Sequence, residues 1–109
     1  MHCPAIKEEL PADDIRFVVP QGWPAPVYNF VGNALTKEGF ILGRKLFYDP
    51  QLSRDNSISC GSCHQQFAAF SHLDHTVSHG IDNLLGTRNA PGLFNLNWQT
   101  AFMWDGGIN

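Results

Sequence analysis

Five consecutive residues, Cys60-Gly61-Ser62-Cys63-His64, restrict what this chain can fold into more than any other feature. C-x-x-C-H is the attachment signature of c-type haem. Its spacing puts both cysteines on one side of a helical turn, where each sulfur reaches a haem vinyl group. His64 is then aimed at the iron as the proximal ligand. Gly61 and Ser62 are small, which lets the turn lie close to a porphyrin edge. The expectation is one covalent haem c, and therefore redox chemistry.

A zinc reading competes for the same cysteines. His75 and His79 follow at H-x-x-x-H spacing, and Phe67 falls where a finger places an apolar residue. The pattern Cys60-x2-Cys63-x11-His75-x3-His79 misses a two-cysteine, two-histidine finger by one central residue. The surrounding chain is acidic and far longer than a finger, so haem is preferred. A thioredoxin-like C-x-x-C would need a βαβ context, and no strand alternation supports one. The third cysteine, Cys3, makes the count odd; it reads as a free thiol rather than part of a disulfide framework.

Composition narrows the partners. A chain of 109 residues has room for one compact domain with a modest core, which a bound cofactor would reinforce. Net charge is −3 and the 7 Lys and Arg are scattered, so no basic stripe invites nucleic acid. No apolar run reaches membrane-spanning length, and no charged-then-apolar export signal opens the chain.

Residues 1–32 read as an extended, Pro-rich arm, because Pro11, Pro20, Pro24 and Pro26 forbid a long helix while Phe17, Trp23 and Tyr28 favour packing. Residues 33–109 form the domain proper. Its clearest helix runs from about Thr36 to Tyr48, with apolar stripes at Leu35, Leu42 and Leu46 and at Phe40 and Phe47, stopped by Asp49-Pro50. Gly39 and Gly43 lie four apart, suiting close approach by another backbone or a flat cofactor. Ser71 to Asn89 reads as loop. A second short helix is expected from Pro91 to about Trp98.

The sixth iron position decides what a haem does. Its candidates are Met103, set in an expected aromatic cluster between Phe102 and Trp104, and the loop histidines His72, His75 and His79. A loop histidine can detach, closing the iron in one redox state and opening it in another. His79 is preferred, because Gly80 beside it lets the backbone turn tightly.

Several motifs resemble one family. Leu42-Gly43-Arg44-Lys45-Leu46-Phe47-Tyr48-Asp49-Pro50, Leu52-Ser53 and Ser57-Ile58-Ser59-Cys60 are similar to the bacterial dihaem cytochrome c peroxidases. So are Thr87-Arg88-Asn89-Ala90-Pro91, Leu93-Phe94-Asn95 and Trp104-Asp105-Gly106, in order and in register. The resemblance implies an all-α, cytochrome c-like haem domain with long loops, the N-terminal peroxidatic half of the enzyme. It implies reduction of hydrogen peroxide to water, a second haem domain that takes electrons from a small cytochrome c or cupredoxin, a periplasmic or otherwise exported location, and a homodimer of the full-length form. By position, Cys60 and Cys63 attach the haem, His64 is proximal, His79 is the distal histidine and Trp104 lies between the haems. Asn89 resembles a calcium ligand, its plain alternative being a turn or cap.

Two departures accompany the resemblance. Gly107 stands where the family often has Arg, and the sequence reaches Asn109 before the family's active-site Gln and Glu. The early end at Asn109, the absent second haem domain and the missing export signal together lead to the expectation of either a fragment of a longer protein or a natural truncation. The alternative is a single-haem electron carrier with His64 and His79 as axial ligands.

Overall fold

The computed structural model describes residues 15–108; Cys3 and Pro11 lie outside them. Helix α1 spans Lys37–Tyr48. Thr36 caps it, its hydroxyl accepting from the Gly39 N–H at 3.0 Å, with Glu38 in the first turn and Lys45 in the last. At the other end the Asp49 N–H closes on the Leu46 carbonyl at 3.2 Å, and Pro50 cannot continue the helix. The Asp49 carboxylate instead accepts from Gln51 N at 2.9 Å, opening a 3-10 turn at Pro50–Leu52. Helix α2 is the single turn Cys60–Cys63.

The two helices meet where Gly61 faces the end of α1. A Cβ on Gly61 would lie 2.6 Å from the Tyr48 ring and 3.5 Å from the Phe47 ring. The small residue expected to admit a porphyrin edge is therefore required first by the contact with α1. Gly39 is likewise committed locally, since its Cβ would stand 2.9 Å from the Thr36 hydroxyl, whereas Gly43 opens onto free space.

Among the described residues there is no named strand, only three isolated antiparallel bridges: Gln65 with Ser71, His79 with Leu85 and Phe102 with Ile108. Each closes a loop whose turn uses left-handed residues: Ala69 and Phe70, Asp82 and Asn83, Met103 and Gly106. Between the last two lies a 3-10 turn, Leu96–Trp98, in place of the expected helix from Pro91 to Trp98. Asn95, at φ 55° and ψ 28°, interrupts any helical run, and Gly92 is wedged between the Phe94 ring and the Ala69 carbonyl.

The described part of the N-terminal arm docks on that turn. Trp98 donates to the Pro24 carbonyl at 2.8 Å, and Asn97 O accepts from Val27 N at 2.8 Å and Tyr28 N at 3.0 Å. The Phe17 and Trp23 rings lie 5.5 Å and 4.9 Å from the Trp98 ring. Burial elsewhere is thin. Only Ala68, Ala90 and His72 are buried among the described residues, and α1 buries none, leaving Phe40 47% and Leu42 55% exposed.

Candidate functional site

The attachment turn is approached through the polar loop Ser53–Ser57. Its Asp55 carboxylate accepts from the Ser57 hydroxyl at 2.7 Å, the Ser57 N–H at 3.1 Å and the Ser53 hydroxyl at 3.2 Å. The Ser57 hydroxyl contributes most to holding the Asp55 carboxyl below its ordinary pKa, against an opposing effect of desolvation. Ser62 then accepts from Ser59 N at 3.0 Å, tightening the start of α2. Cys60 is exposed and Cys63 half-buried, both free thiols on one turn.

His64 follows at the C-terminus of α2, its N–H bonded to the Cys60 carbonyl at 2.9 Å. The His64 Nδ1 lies 2.7 Å from the Phe70 carbonyl oxygen. A carbonyl only accepts, so Nδ1 carries the proton and Nε2 keeps its lone pair. Such a backbone partner fixes the tautomer and ring orientation of an imidazole that is to bind iron. The loop that delivers it is tightly closed: Gln65 N donates to Ser71 O at 3.0 Å, Phe70 N donates to Gln65 O at 2.9 Å, and Ala69 and Phe70 are both left-handed. No residue type announced the Phe70 role, because a main-chain oxygen performs it.

Beside the turn, Phe40, Gly43, Phe47, Tyr48, Phe70 and Leu93 contribute to a cavity of about 530 Å³. Its size falls in the range of organic-ligand sites, and its aromatic lining suits a flat, largely apolar group. Two thiols on one turn, an imidazole with a free Nε2 and this cavity fit a covalently tethered haem.

The three loop histidines come together. The His72 and His75 ring centroids are 4.2 Å apart, and those of His75 and His79 are 4.4 Å apart. His72 is 8% exposed, while His75 and His79 are half-buried. Cys63 Sγ lies 3.7 Å from the His79 carbonyl oxygen, which sets this loop against the attachment turn. Gly80 is not the turning residue expected: its φ of −96° is open to any side chain. Asp82 and Asn83 make the turn, and at Gly86 the missing side chain leaves room for the Ser78 hydroxyl, which a Cβ would force to rotate aside. Among the described residues no three His, Cys, Asp or Glu side chains converge as metal ligands, so the finger pattern of Cys60, Cys63, His75 and His79 does not assemble.

Asn89 sits at a junction. Its Nδ2 donates to the His72 carbonyl at 2.6 Å, its Oδ1 accepts from Ala90 N at 2.7 Å, and its own carbonyl accepts from the Trp104 indole at 2.8 Å. The carboxamide is thus engaged as a strap within the chain. Trp104 is tied at its nitrogen yet 60% exposed, and Met103 is 66% exposed at φ 67°. The packed aromatic cluster expected around Met103 is not formed. The sharp turn closing Phe102 onto Ile108 turns these side chains outward.

The sequence profile of the di-haem cytochrome c peroxidases matches residues 37–109. The methylamine utilization protein MauG of Methylorubrum extorquens is 41% identical over 103 residues, covering 94% of this chain and 28% of that protein. Cytochrome c551 peroxidase of Pseudomonas aeruginosa is 36% identical over 84 residues, 76% of this chain and 24% of the peroxidase. A crystal structure of a MauG-like protein associated with microbial copper homeostasis superposes with a TM-score of 0.72 at 37% identity, covering 83% of this chain and 27% of that one. The chain spans about a quarter of the length of these relatives. By its attachment motif, its arrangement of residues and these likenesses, the chain belongs to the di-haem cytochrome c peroxidase family.

Proposed function

We propose that this chain supplies the peroxidatic haem domain, of cytochrome c-like fold, in a di-haem cytochrome c peroxidase. Hydrogen peroxide takes two electrons and two protons and leaves as two waters. The electrons come from a second haem domain, itself reduced by a small cytochrome c or cupredoxin, in the periplasm or an equivalent exported location. The observation that carries the reading is the His64 imidazole, held by the Phe70 carbonyl at 2.7 Å with Nε2 left free, directly after two thiols on one turn.

Haem c, when attached, supplies a redox-active iron with a coordination site for peroxide. The chain's own residues do the rest. Cys60 and Cys63 would tether the group through thioether bonds, and His64 would hold its iron through the free Nε2. His79 would serve as the distal histidine, able to withdraw and admit substrate. Trp104, with its indole nitrogen anchored on Asn89, offers an exposed aromatic face toward the second haem domain.

The test uses the full-length protein produced with haem-attachment machinery. A pyridine haemochrome spectrum is expected to show covalent haem c, and peroxide is expected to drive oxidation of a reduced small cytochrome c. Haem c without peroxide-dependent donor oxidation would leave the electron-carrier alternative standing; absence of haem c would sink both. In the same protein, His79→Ala is expected to move the oxidised peroxidatic haem toward high spin.

A further inference from the structure

The three histidines are more ordered than a ligand with two bystanders requires. We propose that His75 is a positioning residue for His79, holding its ring by aromatic contact with His72 as the fixed backing. This deepens the distal-histidine reading and rests on it.

The row of rings has a fixed end and a looser one. At the fixed end His72 is 8% exposed, and Asn89 grips its carbonyl at 2.6 Å. His75 leans on that ring with planes 35° apart. It then meets His79 edge-on, with planes 77° apart and centroids 4.4 Å away. Edge-to-face packing is a preferred aromatic geometry and defines orientation as well as distance. The Nδ1 atoms of both His72 and His75 are buried without a hydrogen-bond partner. Buried polar atoms are normally satisfied, so hydrogen bonding through those atoms does not explain how the two rings are held. Ring packing remains, and it passes from His72 through His75 to His79.

His79 itself sits in the hairpin closed by Ser78 N to Arg88 O at 2.8 Å and Gly80 N to Leu84 O at 2.7 Å. That hairpin fixes its backbone. Contact with His75 restricts the remaining side-chain freedom, so the ring starts from, and returns to, one orientation.

The experiment compares the oxidised full-length holoprotein with its variants by electron paramagnetic resonance, reading the ratio of low-spin to high-spin peroxidatic haem. His75→Gln removes the ring at similar length and is expected to lower the ratio about two- to tenfold, the range of one aromatic pair. His75→Phe restores a ring and is expected to return the ratio to about the wild-type value. An unchanged ratio in His75→Gln overturns the proposal, as does a Phe variant no better than Gln. Should His75→Gln fail to incorporate haem, His75→Leu takes its place: a lowered ratio supports the positioning role and an unchanged one overturns it. His79→Ala separates the levels: no spin change there defeats the distal reading itself, whereas a change there with none in His75→Gln defeats only the positioning role.

Discussion

The attachment turn and the histidine loop lie against one another but are held by different means. Around Cys60–His64 the constraints are short hydrogen bonds: Ser59 to Ser62, His64 to Cys60 and the His64 imidazole to Phe70. Around His72, His75 and His79 they are ring contacts, a small hairpin and one strap from Asn89, with two imidazole nitrogens left unpartnered. Directional bonds fix one geometry, while packed rings tolerate a second at modest cost. Under the proposed function, the difference suits a proximal ligand that stays and a distal one that can withdraw.

The largest effect expected from breaking that contrast is removal of its fixed side. Cys60→Ala with Cys63→Ala is expected to abolish covalent haem, leaving no haem-stained band after denaturing electrophoresis. A smaller break on the same side is Gly61→Ala. The new methyl would enter the Tyr48 ring at 2.6 Å, and overpacking of this kind costs about 2 kcal/mol, reduced from the upper limit because the exposed Tyr48 ring can swing aside. Thermal denaturation of the holoprotein should show a clear drop in midpoint, and Gly61→Ala with Tyr48→Ala should recover part of it.

The ease of reading the two regions from sequence follows from the same contrast. Helix α1 was legible because its cap, first-turn acid and Asp49-Pro50 stop are all local. The cysteine turn was legible because its chemistry demands fixed spacing. What escaped the sequence depends on backbone shape or distant contacts. Gly80 looked like the pivot for His79, yet Asp82 and Asn83 turn left-handed and Gly86 clears Ser78. Pro91 suggested a helix start, but the left-handed Asn95 carries no mark that a propensity scale detects. Phe70 acts through its carbonyl, and Asn89 through partners 17 and 15 residues away.

Asn89 is the next lever, because it ties the looser region down. Asn89→Ala leaves the His72 carbonyl and Ala90 N–H without their partner, at a cost of about 2 kcal/mol for half-buried groups. Chemical denaturation should report that loss. Proteolysis should cut faster within residues 72–88 than in the attachment turn. Equal protection of both regions would contradict the division drawn between them.

Asp55 sharpens the fixed side through pH. Its folded pKa is lowered, chiefly by the Ser57 hydroxyl, so its contribution is fully present above the ordinary value of 3.8 and is lost as pH falls toward the folded one. Asp55→Asn should therefore lower stability at neutral pH slightly and flatten the acid limb of the stability profile. The comparison is made between pH 7 and pH 3.

The smallest effect tests an ion pair that bridges the two regions. Arg54, in the polar loop before the attachment turn, meets Asp82 at the tip of the His79 hairpin at 2.6 Å. Both side chains are well exposed, at 74% and 62%, so water and salt screen the pair to about 0.5 kcal/mol or less. Arg54→Ala should barely move global unfolding. Its effect should instead be local, at the hairpin tip that Asp82 anchors: amide exchange at Leu84 and Gly86 should accelerate by about twofold in low salt. Raising the ionic strength to about 1 M should erase the difference between Arg54→Ala and wild type, since the screening length then falls to about 3 Å. Acceleration that persisted in high salt would assign the hairpin's order to packing, and the link between the two regions would then rest on the contact of Cys63 with His79.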